Sequence, residues 1–222
     1  MSAFPFLSVD AASDRGGIHP VAVSAIERAQ RDLGATFEER GGWLVPVSIP
    51  GEEQHAAVGI ADISHLTKLE VRPADAPSGD WLTPGTGAPE PGARLQPATG
   101  TPVWYEISPR RALVLCAPQL AASVREQLGD RFSLDVTGAY SVIAIVGPGA
   151  DTVLRRVTHI DHFPSGGEIA HVQGHVLRCE GGYWVLCAQE LGQFVWEVAV
   201  DRASVLGGGP IGVDALPSGA SA

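Results

Sequence analysis

Between residues 73 and 102 the chain carries seven of its 17 prolines and five of its 27 glycines, with almost no apolar periodicity. Proline lacks the amide proton that helix interiors and central strands need, so no regular element runs through this stretch and the fold must be organised around it. Glycine and proline together supply 44 of the 222 residues. That share argues against a helical bundle or a long coiled coil, and for short strands and helices joined by many turns.

Regular patterning flanks the break. Residues 1–18 lack periodicity and read as a flexible arm. His19-Pro20 then predicts a helix, with Val23, Ile26 and Leu33 near one face and Gly34 as its stop. A strand pair over 36–39 and 43–47 turns at Gly41-Gly42. A short helix begins near Glu52-Glu53, where acids suit the positive end of the dipole, and 66–71 alternates as a strand should. Beyond the break the spacing predicts strands over 103–108 and 112–116, a helix over 119–128 ended by Gly129, and a strand over 132–136. A second unit follows: a strand over 140–146, a helix over 150–157, strands over 168–178 and 183–187 with a turn at Gln173-Gly174, and a helix over 189–202. The order of elements predicts an α+β fold of antiparallel sheets with packed helices, two interlocked units within residues 19–206. Residues 207–222, rich in Gly, Pro, Ser and Ala, read as a flexible tail.

Charge narrows the function classes. Twenty-five acidic against 15 basic residues give a net charge of −10, which repels phosphate backbones and anionic lipid, so neither nucleic acid nor a membrane is an expected partner. No apolar run approaches the roughly 18 residues of a membrane span, the longest being 139–146. The N-terminus has no basic region typical of a signal peptide, which places the expected site of action in the cytoplasm. Cys116, Cys179 and Cys187 form no metal-binding spacing and are expected to be reduced thiols. With 45% hydrophobic residues a sizeable core is available, and Trp43 and Trp196, in apolar segments, are expected to anchor it.

Several constellations invite chemical readings. His159, His162, His171 and His175 cluster late in the chain, and ligands on either side of a hairpin can converge on a metal; they also suit solvent-facing loops and turns, and no metal site is assigned. Asp62, Ser64 and His65 have the residue types of a nucleophilic triad, but in extended backbone His65 points away from the other two. Gly147-Pro148-Gly149 lies between strand and helix without the lysine or glycine spacing of a nucleotide loop, so it reads as a plain turn. Lys68 is the sole lysine, either a chemical group or the residue of an arginine-favouring composition.

The segment from Gly42-Trp43 through Pro46, then Glu53, then Asp62-Ile63-Ser64-His65 opening a strand, resembles the N-terminal signature of the glycine-cleavage T-protein (aminomethyltransferase) superfamily. Val146-Gly147-Pro148-Gly149-Ala150, the run from Arg178 to Trp184, and Phe194, Trp196 and Gly212 to Ala215 are similar to later family segments, so the resemblance spans about residues 34 to 215. It implies a T-protein-like folate-binding fold in a short form without the C-terminal domain. It also implies tetrahydrofolate as cofactor and one-carbon transfer governed by positioning and electrostatics. Glu180 falls where the family's glutamate holds the amino edge of the pterin, a task suited to a carboxylate's two acceptor oxygens. Arg178, Tyr183 and Tyr105 complete the implied cofactor-binding set. At the position expected to carry the carboxylate that manages the folate's reactive nitrogen stands Tyr105, and Glu106, one residue on, faces the other side of a strand. Catalytic residues are therefore unassigned. Two readings stay open: a folate-binding transferase or demethylase component, and a non-catalytic subunit similar to the gamma subunit of heterotetrameric sarcosine oxidase, with partner protein chains.

Overall fold

A computed structural model describes residues 20–72, 102–108, 110–129 and 131–217. The expected arm and nearly all of the proline-rich break lie outside the described residues. The elements are α1 (Glu27–Asp32), β1 (Thr36–Arg40), β2 (Trp43–Ser48), β3 (Gly59–Asp62), β4 (Thr67–Arg72), β5 (Val103–Ser108), β6 (Arg111–Cys116), α2 (Ala121–Leu128), β7 (Phe132–Asp135), β8 (Tyr140–Val146), α3 (Ala150–Val157), β9 (Ser165–Ile169), β10 (Val172–Cys179), β11 (Gly182–Ala188), α4 (Gly192–Ser204) and β12 (Gly209–Pro210).

A six-stranded sheet, β12-β3-β8-β11-β10-β9, faces a four-stranded sheet, β5-β6-β4-β7. All pairings in both are antiparallel except β12 with β3. Strand parity divides the apolar residues into three cores. Val142, Ala144, Leu177, Trp184 and Leu186 of the larger sheet meet Val103, Tyr105, Leu113 and Leu115 of the smaller one. Ile143, Ile145, Tyr183 and Val185 point the other way, against Val153 and Leu154 of α3 and Val195 and Trp196 of α4. Leu69, Val71 and Val114 pack beneath α2. With both sheets covered on both faces, β8 and β11 read as continuous apolar runs. The fold class is as expected, α+β with antiparallel sheets and packed helices, and among the described residues no helix is long and apolar enough to cross a membrane.

Four expectations are corrected. The first helix is only α1, because upstream of it Ala22 pairs with Trp43 and exchanges hydrogen bonds of 2.8 Å with Gly42 and Leu44. Residues 168–178 are not one strand with a turn at Gln173-Gly174; the turn is Ala170-His171, both left-handed (φ 49° and 66°). Gly174 instead lies inside β10, where a Cβ would stand 2.5 Å from the Leu186 carbonyl oxygen, so glycine marks a close strand approach. Strand β4 is buried on both faces up to Val71. Lastly, the expected flexible tail is built into the fold as far as residue 217. β12 pairs with Gly59 and Ile60, Ile211 and Val213 enter the inter-sheet core, and the Gly212 amide donates to Glu52 Oε2 at 2.7 Å. Glycine is required there by contact, since a Cβ on Gly212 would lie 2.1 Å from the Val47 carbonyl oxygen.

Candidate functional site

The hairpin of β10 and β11 closes through Glu180-Gly181, Cys179 facing Gly182 across the ladder and Gly181 taking the left-handed conformation at φ 71°. This tip and the Gly147-Pro148 turn enclose a cleft of about 330 Å³ lined by Asp151, Arg178, Glu180 and Tyr183. Arg178 lies over the Phe163 and Tyr183 rings, 5.4 and 5.3 Å from their centroids. Tyr183 donates its hydroxyl proton to Asp151, and burial, followed by that bond, raises its pKa. Glu180 is exposed and makes no side-chain hydrogen bond or ion pair among the described residues. A neighbouring cleft of about 290 Å³ shares Asp151, Arg178 and Tyr183 and adds Arg155, His159 and Phe163. An acceptor carboxylate beside a guanidinium stacked on aromatic rings can bind a flat, hydrogen-bonding heterocycle.

Tyr105 is elsewhere. It points between the sheets, only 4% exposed, and its hydroxyl shares a 2.9 Å hydrogen bond with His175 Nδ1 of the facing sheet. The two rings meet edge to face at 5.2 Å. Burial pushes the Tyr105 phenol up to about 12 and lowers the His175 imidazole, the latter helped by the Arg111 charge. In the smaller sheet Tyr105 and Glu70 both pair with Leu113, which sets them on one face in one row. Burial acts to raise Glu70, but hydrogen bonds from Arg111 and Arg72 outweigh it and hold the carboxyl below its ordinary value. Both arginines form 2.6 Å ion pairs with Glu70, and Arg111 also donates to the Tyr140 hydroxyl at 3.3 Å. The implied set is therefore divided: Glu180, Arg178 and Tyr183 border one cleft, while Tyr105 belongs to the apolar core between the sheets, with its hydroxyl on His175. Glu106 is exposed, on the opposite face from Tyr105.

Asp62, Ser64 and His65 form no relay. Asp62 accepts from the Ser64 amide at 2.9 Å and from Ser24 Oγ, while Ser64 Oγ accepts from the Val142 amide at 3.0 Å. His65 Nδ1 is buried without a partner, and burial, with the Lys68 and Arg40 charges, lowers this imidazole to about 3. Lys68 is wholly buried beneath the Ser64 carbonyl, to which Nζ donates at 2.7 Å. The four late histidines do not converge. His162 bonds Asp161, His171 bonds Glu168, and His175 bonds Tyr105; among the described residues no three potential ligands form a metal-binding group. The Gly147-Pro148-Gly149 turn commits the Gly149 and Ala150 amides to the Ala57 and Gly147 carbonyls, as a plain turn does.

Glu70, Arg111, Tyr140, Asp151 and Phe163 were not singled out by sequence reasoning. Apart from Arg72, two residues from Glu70 on the same strand, their partners are 15 to 41 positions away, and no local spacing announces those. Glu70 did carry one signal, an acid in the middle of an apolar strand.

No family model matches the chain. It is 31% identical to aminomethyltransferase of Mycobacterium tuberculosis, over 86% of this chain and 59% of that protein. It is 26% identical to a probable aminomethyltransferase of Aeropyrum pernix, over 83% of this chain and 59% of that one. The chain thus spans about three fifths of the length of these relatives. Among solved structures it superposes on glycine cleavage system aminomethyltransferase T from Bartonella henselae with a TM-score of 0.63 at 16% identity, covering 88% of this chain and 60% of that one. It superposes on a chain of heterotetrameric sarcosine oxidase from Corynebacterium sp. U-96 with a TM-score of 0.57 at 19% identity, covering 83% of this chain and 95% of that one.

Proposed function

Because this chain resembles the aminomethyltransferases in sequence and shares the fold of aminomethyltransferase T, we propose that it is a folate-fold component of a cytoplasmic one-carbon-transferring or amine-demethylating assembly, with the chemistry completed by a partner chain. One observation carries this reading: the residue at the position expected to manage the reactive nitrogen is Tyr105, engaged with His175 inside an apolar inter-sheet core. Transfer of a one-carbon unit needs a preorganised polar group at the atom where charge changes, and a neutral phenol held well above its usual pKa does not supply a carboxylate's charge.

Tetrahydrofolate, in this reading, is held at the cleft beside Glu180. A volume of about 330 Å³ lies at the lower end for small-molecule pockets, enough for a fused ring with its tail outside. Glu180 accepts the two parallel N–H bonds of the pterin edge, and Arg178 with Tyr183 forms the flat wall. Calorimetric titration with tetrahydrofolate tests the site. Binding should weaken by about tenfold or more in Glu180→Gln, the cost of losing a charged acceptor. Binding unaffected by that substitution refutes the assignment.

A second reading, a subunit that serves assembly without folate, is favoured by a separate observation: the likeness to the sarcosine oxidase chain extends over 95% of that chain. A folded parent that fails to bind tetrahydrofolate would favour it over the first.

A further inference from the structure

On the helical side of the larger sheet, where α3, α4 and the β9–β10 turn meet, a groove of about 200 Å³ has an apolar floor of Val157, Val198 and Phe194. Phe194, in the first turn of α4, is 45% exposed although the next residues, Val195 and Trp196, are buried. Arg155, Arg156 and Arg202 line the same groove, with Glu168 as the acid among the lining residues. Arg155 and Arg156 form no salt bridge among the described residues, and Arg202 pairs only with its exposed neighbour Asp201. In a chain of net charge −10, one groove therefore carries a local excess of positive charge around an uncovered aromatic ring. Val157 is buried and Val198 half-buried, so the apolar element the groove offers is one ring set among arginines.

Backbone conformation singles out the same groove. Its wall is the Ala170-His171 turn, where two non-glycine residues adopt left-handed angles that a type I′ turn normally reserves for Asn and Gly. The turn closes a two-residue hairpin and is held there by the Ala170 amide, which donates to the Val157 carbonyl at 2.7 Å, and by His171 Nδ1, 3.1 Å from Glu168, so the groove has a fixed wall.

We propose that this groove receives an acidic segment of a partner protein chain, which inserts one apolar side chain beside Phe194 while its carboxylates meet Arg155, Arg156 and Arg202. The inference rests on the assembly reading above and gives it a surface. Arginine clusters around an aromatic are the usual residues that hold such acidic motifs.

The test uses the full chain and a fluorescein-labelled, capped peptide with Asp and Glu flanking a central leucine, read by fluorescence anisotropy. The same peptide with Lys for each acid is the control. The acidic peptide should bind and the lysine peptide should not. Affinity should fall by about tenfold in Arg156→Glu/Arg202→Glu and in Phe194→Ser, and should be unchanged in Arg110→Glu, an exposed arginine of the turn between β5 and β6. All four positions are exposed, so the variants keep the parent's melting midpoint. Equal binding of both peptides, equal loss in Arg110→Glu, or full competition by inorganic phosphate with Phe194→Ser silent would overturn the proposal. The tetrahydrofolate titration does not read this groove, so peptide failure with folate binding intact removes the docking surface alone.

Discussion

The Tyr105 hydroxyl and His175 Nδ1, 2.9 Å apart, join the two sheets through a side-chain hydrogen bond across their shared core. The bond puts a neutral phenol where the resemblance implies a folate-directed carboxylate, and it ties that departure to the packing of the molecule.

Tyr105→Phe keeps the ring and removes the hydroxyl, leaving His175 without its partner. The loss should be about 1–2 kcal/mol, because His175 is only half-buried and water can replace the phenol. Tyr105→Asp, which restores a carboxylate, should cost more, since a charge would enter an apolar core. Urea unfolding of both variants checks the order; equal stabilities would show that Tyr105 is not in the core.

Lys68 predicts a pH dependence of stability. Burial lowers its ammonium to about 7, against the pull of Asp62 and Asp135, whereas the unfolded chain keeps this proton up to about 10.5. Between those values unfolding takes up a proton, so stability rises with pH. Cys116, pushed up to about 11, and Cys179 and Cys187, pushed up to about 12, all mainly by burial, act with the opposite sign once pH passes their ordinary value of 9.0. The cleaner window is therefore from about pH 7.5 to 8.5, above the ordinary imidazole value of 6.5 around which His65 and His175, both lowered by burial, add a slope of the same sign, and the expected gain is on the order of 1 kcal/mol. Lys68→Met should abolish the slope there, and a parent stability that falls across the window would contradict this account.

The two tryptophans should separate by their polar atoms. Trp43 and Trp196 are 5% and 3% exposed, so Trp→Ala at either should cost roughly 3–5 kcal/mol. Trp196 Nε1 is buried without an acceptor. Trp196→Phe removes that orphan donor along with some volume, and its penalty should be well below that of Trp196→Ala. Melting midpoints of the three variants decide.

All three cysteines are buried free thiols. A thiol held neutral by its surroundings is a poor nucleophile, so labelling at pH 8 should be slow until denaturant is added and then count three. Rapid labelling of the folded chain would place at least one of them outside the core.

How far the sequence could be read depended on how local each cause was. The β1–β2 hairpin follows from Gly41-Gly42, and the α3 stripe of Ala150, Val153, Leu154 and Val157 has the spacing of a one-sided helix. Gly174 and Gly212 misled because glycine has two uses, turning and close approach, and contact across the fold decides between them. Ala170-His171 offered no turn chemistry at all. Of the candidate site, Glu180, Arg178 and Tyr183 were legible through the family segment they share. The Glu70–Arg111–Tyr140 cluster was not, since three strands of two sheets bring it together.

The most direct test is turnover. The purified chain, shown to be folded, would be supplied with tetrahydrofolate and, in separate assays, glycine-cleavage and N-methyl amine substrates, and the one-carbon product on folate measured against a no-protein control. With Tyr105 bonded to His175 in place of the carboxylate, a loss of about a hundredfold or more is expected from that one group, so the chain alone should give no appreciable product. Robust turnover by the isolated chain would contradict the claim that a partner must complete the chemistry.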